Sequence, residues 1–200
     1  METGKRLRNG GQVLVEALAG NGVDTIYCVP GESYLPVLDA LHDHPRIRVV
    51  VARHEGAAAN MADAHGKLSG RPGICFVTRG PGATHAANGV HTAREDSTPM
   101  ILFVGQVARG HAGREAFQEI DYRQFFGGIA KWVAEVDRLE RIPELVARAF
   151  AVAMSGRPGP VVVALPEDVL FGEGVAADLP PVRIAHAAPA ADALAELRAL

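Results

Sequence analysis

Glu55 is the acidic side chain best placed for proton chemistry. It stands in Val51-Ala-Arg-His-Glu-Gly-Ala-Ala-Ala-Asn60, directly after a mostly apolar, β-branched run over 47–52 that predicts a buried strand. The alanine-rich residues after it predict a helix. Glu55 therefore falls in a first helical turn at the carboxyl end of a strand, where open α/β sheets bind their ligands. A carboxylate there could exchange a proton with a ligand, or could do no more than offset the positive end of the helix dipole. This stretch alone does not choose between the two.

Three other strand ends carry Gly/Pro loops: Pro30-Gly31-Glu32-Ser33, Arg79-Gly-Pro-Gly-Ala-Thr84 and Gly105-Gln106-Val107. The middle one invites a phosphate-loop reading and fails it, because His85 stands where the last glycine of a dinucleotide fingerprint belongs, and no Gly-Lys-Ser/Thr occurs. Glycines at tight strand-to-helix turns account for some of this pattern without any ligand. Nucleophile-elbow and His-Glu-x-x-His motifs are missing, and the eight histidines show no metal-ligand spacing. His85 and His91 read as surface or capping residues on one helix, and Arg79 as a solvating loop residue.

The elements that would hold these residues alternate. Helices are expected over 11–19, with Gly22 as a stop, and over 34–41, with Leu35, Leu38 and Leu41 at three-residue spacing. A third follows Glu55 to about residue 68, and others span 83–94 and 142–154. Strands are expected over 25–29, 47–52, 74–78, 99–104, 131–136 and 161–165, with Gly80-Pro-Gly82 breaking the third. Residues 106–128 have no clean period, and an irregular connection of that length inside a compact domain is more often functional than not. The alternation implies βαβ units: an α/β fold of three α/β/α layers around a mostly parallel sheet of about six strands. Residues 1–171 read as one domain and the Ala/Pro-rich 172–189 as a linker. Residues 190–200, with Leu194, Leu197 and Leu200 at helical spacing, read as the start of a truncated further domain.

A formal charge of −3 gives no electrostatic reason to invoke nucleic acid or an anionic membrane. Apolar residues make up 48% of the chain, enough for a sizeable core. The two cysteines, Cys28 and Cys75, sit inside apolar runs and read as reduced core residues rather than a disulfide. The first six residues carry no apolar signal core, and no run reaches a membrane span. The expectation is a soluble, cytoplasmic protein.

Taken in order, Val29-Pro-Gly31, Arg53-His-Glu55, Gly70-Arg-Pro-Gly73, Gly80-Pro-Gly-Ala-Thr84, Gly105-Gln-Val107, Ala116-Phe-Gln-Glu119 and Ser155-Gly-Arg-Pro-Gly-Pro160 form a set far more specific than any one member. Over about residues 10–171 the chain resembles the N-terminal pyrimidine-binding domain of thiamine-diphosphate enzymes, in the acetolactate synthase-like branch. The resemblance implies that Glu55 bonds N1′ of the cofactor's aminopyrimidine. A carboxyl group held away from water has the raised pKa that lets it share a proton with a ring nitrogen. The cofactor's C2 ylid then attacks a 2-keto acid, carbon dioxide leaves, and the cofactor holds the electron pair. The same resemblance places Pro30 and Gly31 near the pyrimidine ring, Thr78, Gly82 and Asn88 along the cofactor, Gln118 in the active-site segment of the irregular connection as a catalytic and cofactor-binding residue, and Phe117 in the same segment at the substrate. Each of these also reads as a turn or packing residue.

By the same resemblance, Mg2+ and the diphosphate are bound by a Gly-Asp-Gly motif that this chain lacks, and some relatives also carry FAD as a structural cofactor. The cofactor would lie at a subunit interface of a homodimer or tetramer, with this chain alone inactive. The chain departs from the pattern at several places. Pro166-Glu-Asp168 stands where acetolactate synthases carry Pro-Lys-Asp, with the lysine near the substrate. A negative Glu167 there would disfavour a second anionic keto acid, and so acetolactate synthesis itself. Arg79 and His85 replace small or amide residues, and Glu32-Ser33 differs from the common Gly-Gly or Gly-Ala. Two other readings remain: the α subunit of a two-chain decarboxylase of the sulfopyruvate decarboxylase type, and a non-catalytic scaffold that kept the fold.

Overall fold

A computed structural model of the chain describes residues 6–185 and 188–200. The reading of the extreme N-terminus as lacking a signal core falls mostly outside them.

The chain opens with a two-residue strand, β1 (Arg8–Asn9), and helix α1 (Gly10–Gly20). Asn9 starts the helix through a capping box. Its side chain accepts the Gln12 N–H at 2.8 Å, and the Gln12 side chain accepts the Asn9 N–H at 3.1 Å, so two otherwise orphaned donors are satisfied. Then come β2 (Thr25–Cys28), α2 (Leu35–His42), β3 (Arg48–Val51), α3 (Glu55–Ser69), β4 (Gly73–Val77), α4 (Gly80–Glu95) and β5 (Met100–Gln106). After an irregular stretch follow α5 (Tyr122–Phe126), β6 (Trp132–Glu135), α6 (Ile142–Met154), β7 (Pro160–Pro166), α7 (Glu167–Phe171), β8 (Glu173–Gly174) and α8 (Ala191–Ala199).

Six strands form one sheet in the order β3-β2-β4-β5-β7-β6, each neighbour parallel; β1 and β8 form a separate antiparallel pair. Side chains alternate between the two faces. Ile26, Cys28, Ile74, Phe76, Ile101, Phe103, Val161 and Val163 belong to the core shared with α1, α2 and α6. Cys75, Val77, Leu102, Val104, Val162 and Ala164 belong to the core shared with α3, α4 and α5. Helices on both sides leave β4, β5 and β7 buried at every position, which is why they read as continuous apolar runs. This is the three-layer parallel architecture expected.

The order also fixes where a ligand can go. From β2 the chain moves outward to β3, then crosses back to lay β4 on the other side of β2. Strand order reverses there, so the carboxyl ends of β2 and β4 diverge and leave a crevice.

The departures from expectation have physical causes. The strand over 47–52 was expected to be buried, but β3 is a sheet edge and Val51 is 61% exposed. Of the leucines spaced by three in α2, Leu41 is buried and Leu35 is exposed, and Pro36, Val37 and Ala40 pack beside Leu41. Helix α4 begins at Gly80, three residues earlier than expected, because Pro81 occupies a first-turn position where its missing N–H costs nothing. Strand β5 runs on through Gly105 and Gln106. Within 172–189, Ala176 is buried, and the Val182 N–H donates to Asn21 Oδ1 at 3.0 Å. That part of the segment lies along α1; residues 186–187 lie outside the described set. Helix α8 has no buried residue.

Candidate active site

Each sequence-predicted residue follows a strand's carboxyl end or sits on the helix that leaves it. Ala52 continues the β2–β3 pairing by donating to the Cys28 carbonyl at 2.8 Å, so two further residues bring the chain to Glu55 as the first residue of α3. His54 caps that helix: its Nδ1 accepts the Gly56 N–H at 3.0 Å. The Glu55 side chain is 14% exposed, and a carboxylate in the first turn gains about 0.3–1 kcal/mol from the helix dipole. Its Oε2 accepts a hydrogen bond from His85 Nδ1 at 2.9 Å. Oε1 takes no hydrogen bond from the described residues. It looks toward Gly82, where an added Cβ would stand 3.6 Å from it.

Helices α3 and α4 can bring Glu55 and His85 together because small residues line their contact. A Cβ on Gly89 would meet the Cβ of Ala59 at 2.5 Å, so nothing larger than hydrogen fits there. His85 is on the exposed side of α4, and its ring stacks on His54 with centroids 4.6 Å apart and planes 30° from parallel. One ligand atom each from His54, Glu55 and His85 lie within 4.8 Å of one another. Nδ1 of His54 is held by its own cap and Nδ1 of His85 by the carboxylate. Both Nδ1 atoms are thus engaged within one hydrogen-bonded stack with the carboxylate.

The β2 and β4 loops close the crevice's floor. Gly31 is extended (φ −149°) and has no need of a left-handed conformation. It is excluded from bearing a side chain by Thr78, whose Cβ and Oγ1 would lie 2.6 and 2.9 Å from a Cβ there. Ser33 Oγ and Thr78 Oγ1 share a hydrogen bond of 2.9 Å, and the Tyr34 hydroxyl donates to the Val29 carbonyl. Burial, with Cys28, Cys75 and Glu55 adding to it, pushes the Tyr34 phenol well up, so it stays a donor and pins the Val29-Pro30-Gly31 turn.

Gln118 has φ +65°, unusual for a non-glycine residue, and its carbonyl accepts the Gly80 N–H at 3.0 Å. The active-site segment is thus clamped by its backbone to the start of α4. The Gln118 side chain takes no hydrogen bond among the described residues, and the Phe117 side chain is 73% exposed. Asn88 is exposed one turn beyond His85. The structure therefore groups Gly31, Thr78, Gly82 and Glu55, attaches Gln118 nearby by its backbone, leaves Phe117 and Pro30 open to solvent, and gives Asn88 no bond to the group.

Two expectations are corrected. Arg79 was read as a solvating loop residue, but it is 9% exposed and its guanidinium forms an ion pair with Glu167. Its NH1 also lies 3.5 Å from the Phe117 carbonyl. The Glu167 charge, expected to stand alone and repel an anion, is met by this buried cation. Two apparent departures from pattern are one compensated pair. His85, read as a surface or capping residue, is exposed as expected, and its bond to Glu55 is what that reading missed. The odd residue type at 79, 85 and 167 was the available signal. Separations of 88 and 30 residues hid both partners.

The model of the family described as thiamine pyrophosphate enzyme, N-terminal TPP binding domain, matches residues 8–125. The mitochondrial acetolactate synthase catalytic subunit of Saccharomyces cerevisiae is 41% identical over 160 residues, 80% of this chain and 23% of the yeast protein. The probable acetolactate synthase large subunit of Methanocaldococcus jannaschii is 43% identical over 164 residues, 82% of this chain and 28% of its own. For the acetolactate synthase isozyme 3 large subunit of Escherichia coli the identity is 43% over 162 residues, 81% and 28% of the two chains. The chain spans about a quarter of the length of the curated relatives it matches.

Proposed function

Because the chain belongs to the thiamine pyrophosphate enzymes as their N-terminal TPP-binding domain, we propose that it supplies the pyrimidine-binding half of a thiamine-diphosphate-dependent 2-keto acid decarboxylase or carboligase of the acetolactate synthase type. The observation that carries the reading is the Glu55 carboxylate. It is mostly buried, sits at the first turn of α3 beside the switch-point crevice, and has Oε2 held by His85 while Oε1 is unengaged next to Gly82. A carboxylate with one committed and one open oxygen, bordered by a glycine, fits a flat heteroaromatic ring whose nitrogen needs a hydrogen-bond partner.

When bound, thiamine diphosphate supplies the electron sink for cleaving the bond beside a keto group. The chain's own residues do the rest of what falls to this domain. Glu55 holds and exchanges a proton at Oε1. Gly31, Thr78 and Gly82 keep the crevice narrow, and the clamped Gln118 segment with Phe117 borders the substrate side. An Arg79–Glu167 pair leaves that side without an unpaired negative charge, so a second keto acid is not repelled there. Mg2+ and the diphosphate are held by residues other than these 200, and the complete site forms at the interface of a homodimer or tetramer. We read residues 1–171 as the domain, 172–189 as a linker and 190–200 as the first helix of the next domain. Two buried, unpaired thiols support a reducing, cytoplasmic setting; no helix of the described residues is long and apolar enough to cross a membrane.

The test is calorimetric binding of thiamine diphosphate with Mg2+ by the longest natural form, followed by a screen of 2-keto acids for carbon dioxide release. Binding and turnover are expected for that form, with weak binding and no turnover by the 200-residue chain alone. A natural form that neither binds nor releases carbon dioxide would favour the scaffold reading.

A further inference from the structure

We propose that His85 is a positioning residue for Glu55: it holds one carboxylate oxygen so that the other is the one offered to a ligand. The inference deepens the reading of Glu55 given above and rests on it.

The geometry is fixed from three sides. A carboxylate only accepts, so at 2.9 Å the ring nitrogen Nδ1 of His85 must be the donor to Oε2. His54 stacks against the same ring, and His54 is itself immobilised because its Nδ1 accepts the Gly56 N–H. The backbone beneath leaves no slack, since a Cβ on Gly56 would approach the His85 carbonyl at 3.3 Å. Thus the plane of His85, and through it the rotation of the Glu55 carboxylate, is set before any ligand arrives. A free carboxylate would sample both orientations and lose that rotational freedom on binding. A held one presents Oε1 in advance.

The same contact joins a mostly buried acid to an exposed ring: the Glu55 side chain is 14% exposed and that of His85 is 53% exposed.

His85→Asn is the discriminating variant, because its side-chain N–H can stand about where Nδ1 does. Two measurements test the proposal. Long-range 1H–15N spectra of the 200-residue chain without cofactor, at mildly alkaline pH, should show His85 as the Nδ1–H tautomer, reverting to Nε2–H in Glu55→Ala. In the longest natural form, thiamine diphosphate affinity should fall roughly tenfold in His85→Leu. His85→Asn should recover most of that loss. An Nε2–H tautomer in the wild-type chain, or wild-type affinity in His85→Leu, would overturn the proposal. The spectra decide the pairing even if no form binds the cofactor, in which case the functional reading fails and the pairing stands.

Discussion

Removing the carboxylate of Glu167 is a sharp test of how this site manages charge. Arg79 is 9% exposed, its NH2 is paired with Glu167, its NH1 is 3.5 Å from the Phe117 carbonyl, and its Nε has no partner. Glu167→Ala would leave a buried guanidinium with one weak hydrogen bond. Breaking a fully buried pair costs about 3–5 kcal/mol. Because the Glu167 side chain is 30% exposed, water can replace part of what is lost, and about 2–3 kcal/mol is expected. For a domain of this size that is a Tm drop of roughly 5–10 °C. Glu167→Gln keeps an acceptor and should lose about half as much. Arg79→Met should also destabilise, but Arg79→Met with Glu167→Ala should cost much less than the sum, since neither charge is left alone. Urea unfolding of the four forms gives the double-mutant cycle. Additive losses, with a coupling below about 0.5 kcal/mol, would refute the account of Arg79 and Glu167 as one compensated unit.

Other consequences follow from the same coordinates. Gly89→Val places a Cβ 2.5 Å from the Ala59 Cβ and should cost about 1–3 kcal/mol by thermal unfolding. It should also weaken cofactor binding by parting Glu55 from His85, and a neutral result would mean that α3 and α4 are not tightly spaced. Burial pushes the Cys28 thiol up to about 11 and the Cys75 thiol further. Both should resist alkylation in the folded chain, and folded stability should decline as pH rises above about 8.5, where only unfolded thiols ionise. Stoichiometric labelling under native conditions would contradict this. Burial also pushes the Asp168 carboxyl up, but hydrogen bonds from the Arg109 backbone and guanidinium outweigh it and hold it below the usual range. Its contribution is therefore present above about pH 4 and lost as pH falls through the depressed value. Asp168→Asn should flatten the acid limb of stability by less than about 1 kcal/mol, and an unchanged acid slope would count against it.

What could be read from sequence was local. The alternating apolar runs gave the strands because β4, β5 and β7 are buried on both faces and are apolar almost throughout, Gln106 at the end of β5 being the exception. The spacing of 142–154 gave α6 to the residue. Position in the sheet was not legible: β3 is as β-branched as its neighbours, yet lies at the edge with Val51 in solvent. The apolar run over 47–52 and the alanines after it placed Glu55 at a strand's end, and composition could not say that His85, thirty residues on, would hold it. Nor could the types at 79 and 167 show that they neutralise each other, because a long-range ion pair leaves no periodic trace.

The central claim is that Glu55 exchanges a proton with the cofactor's aminopyrimidine. It is tested most directly by hydrogen–deuterium exchange at C2 of bound thiamine diphosphate in the longest natural form, wild type against Glu55→Gln, each loaded to the same occupancy. The account predicts exchange slower by roughly 10²–10⁴-fold in Glu55→Gln, with cofactor still bound. Exchange at the wild-type rate in loaded Glu55→Gln would contradict it.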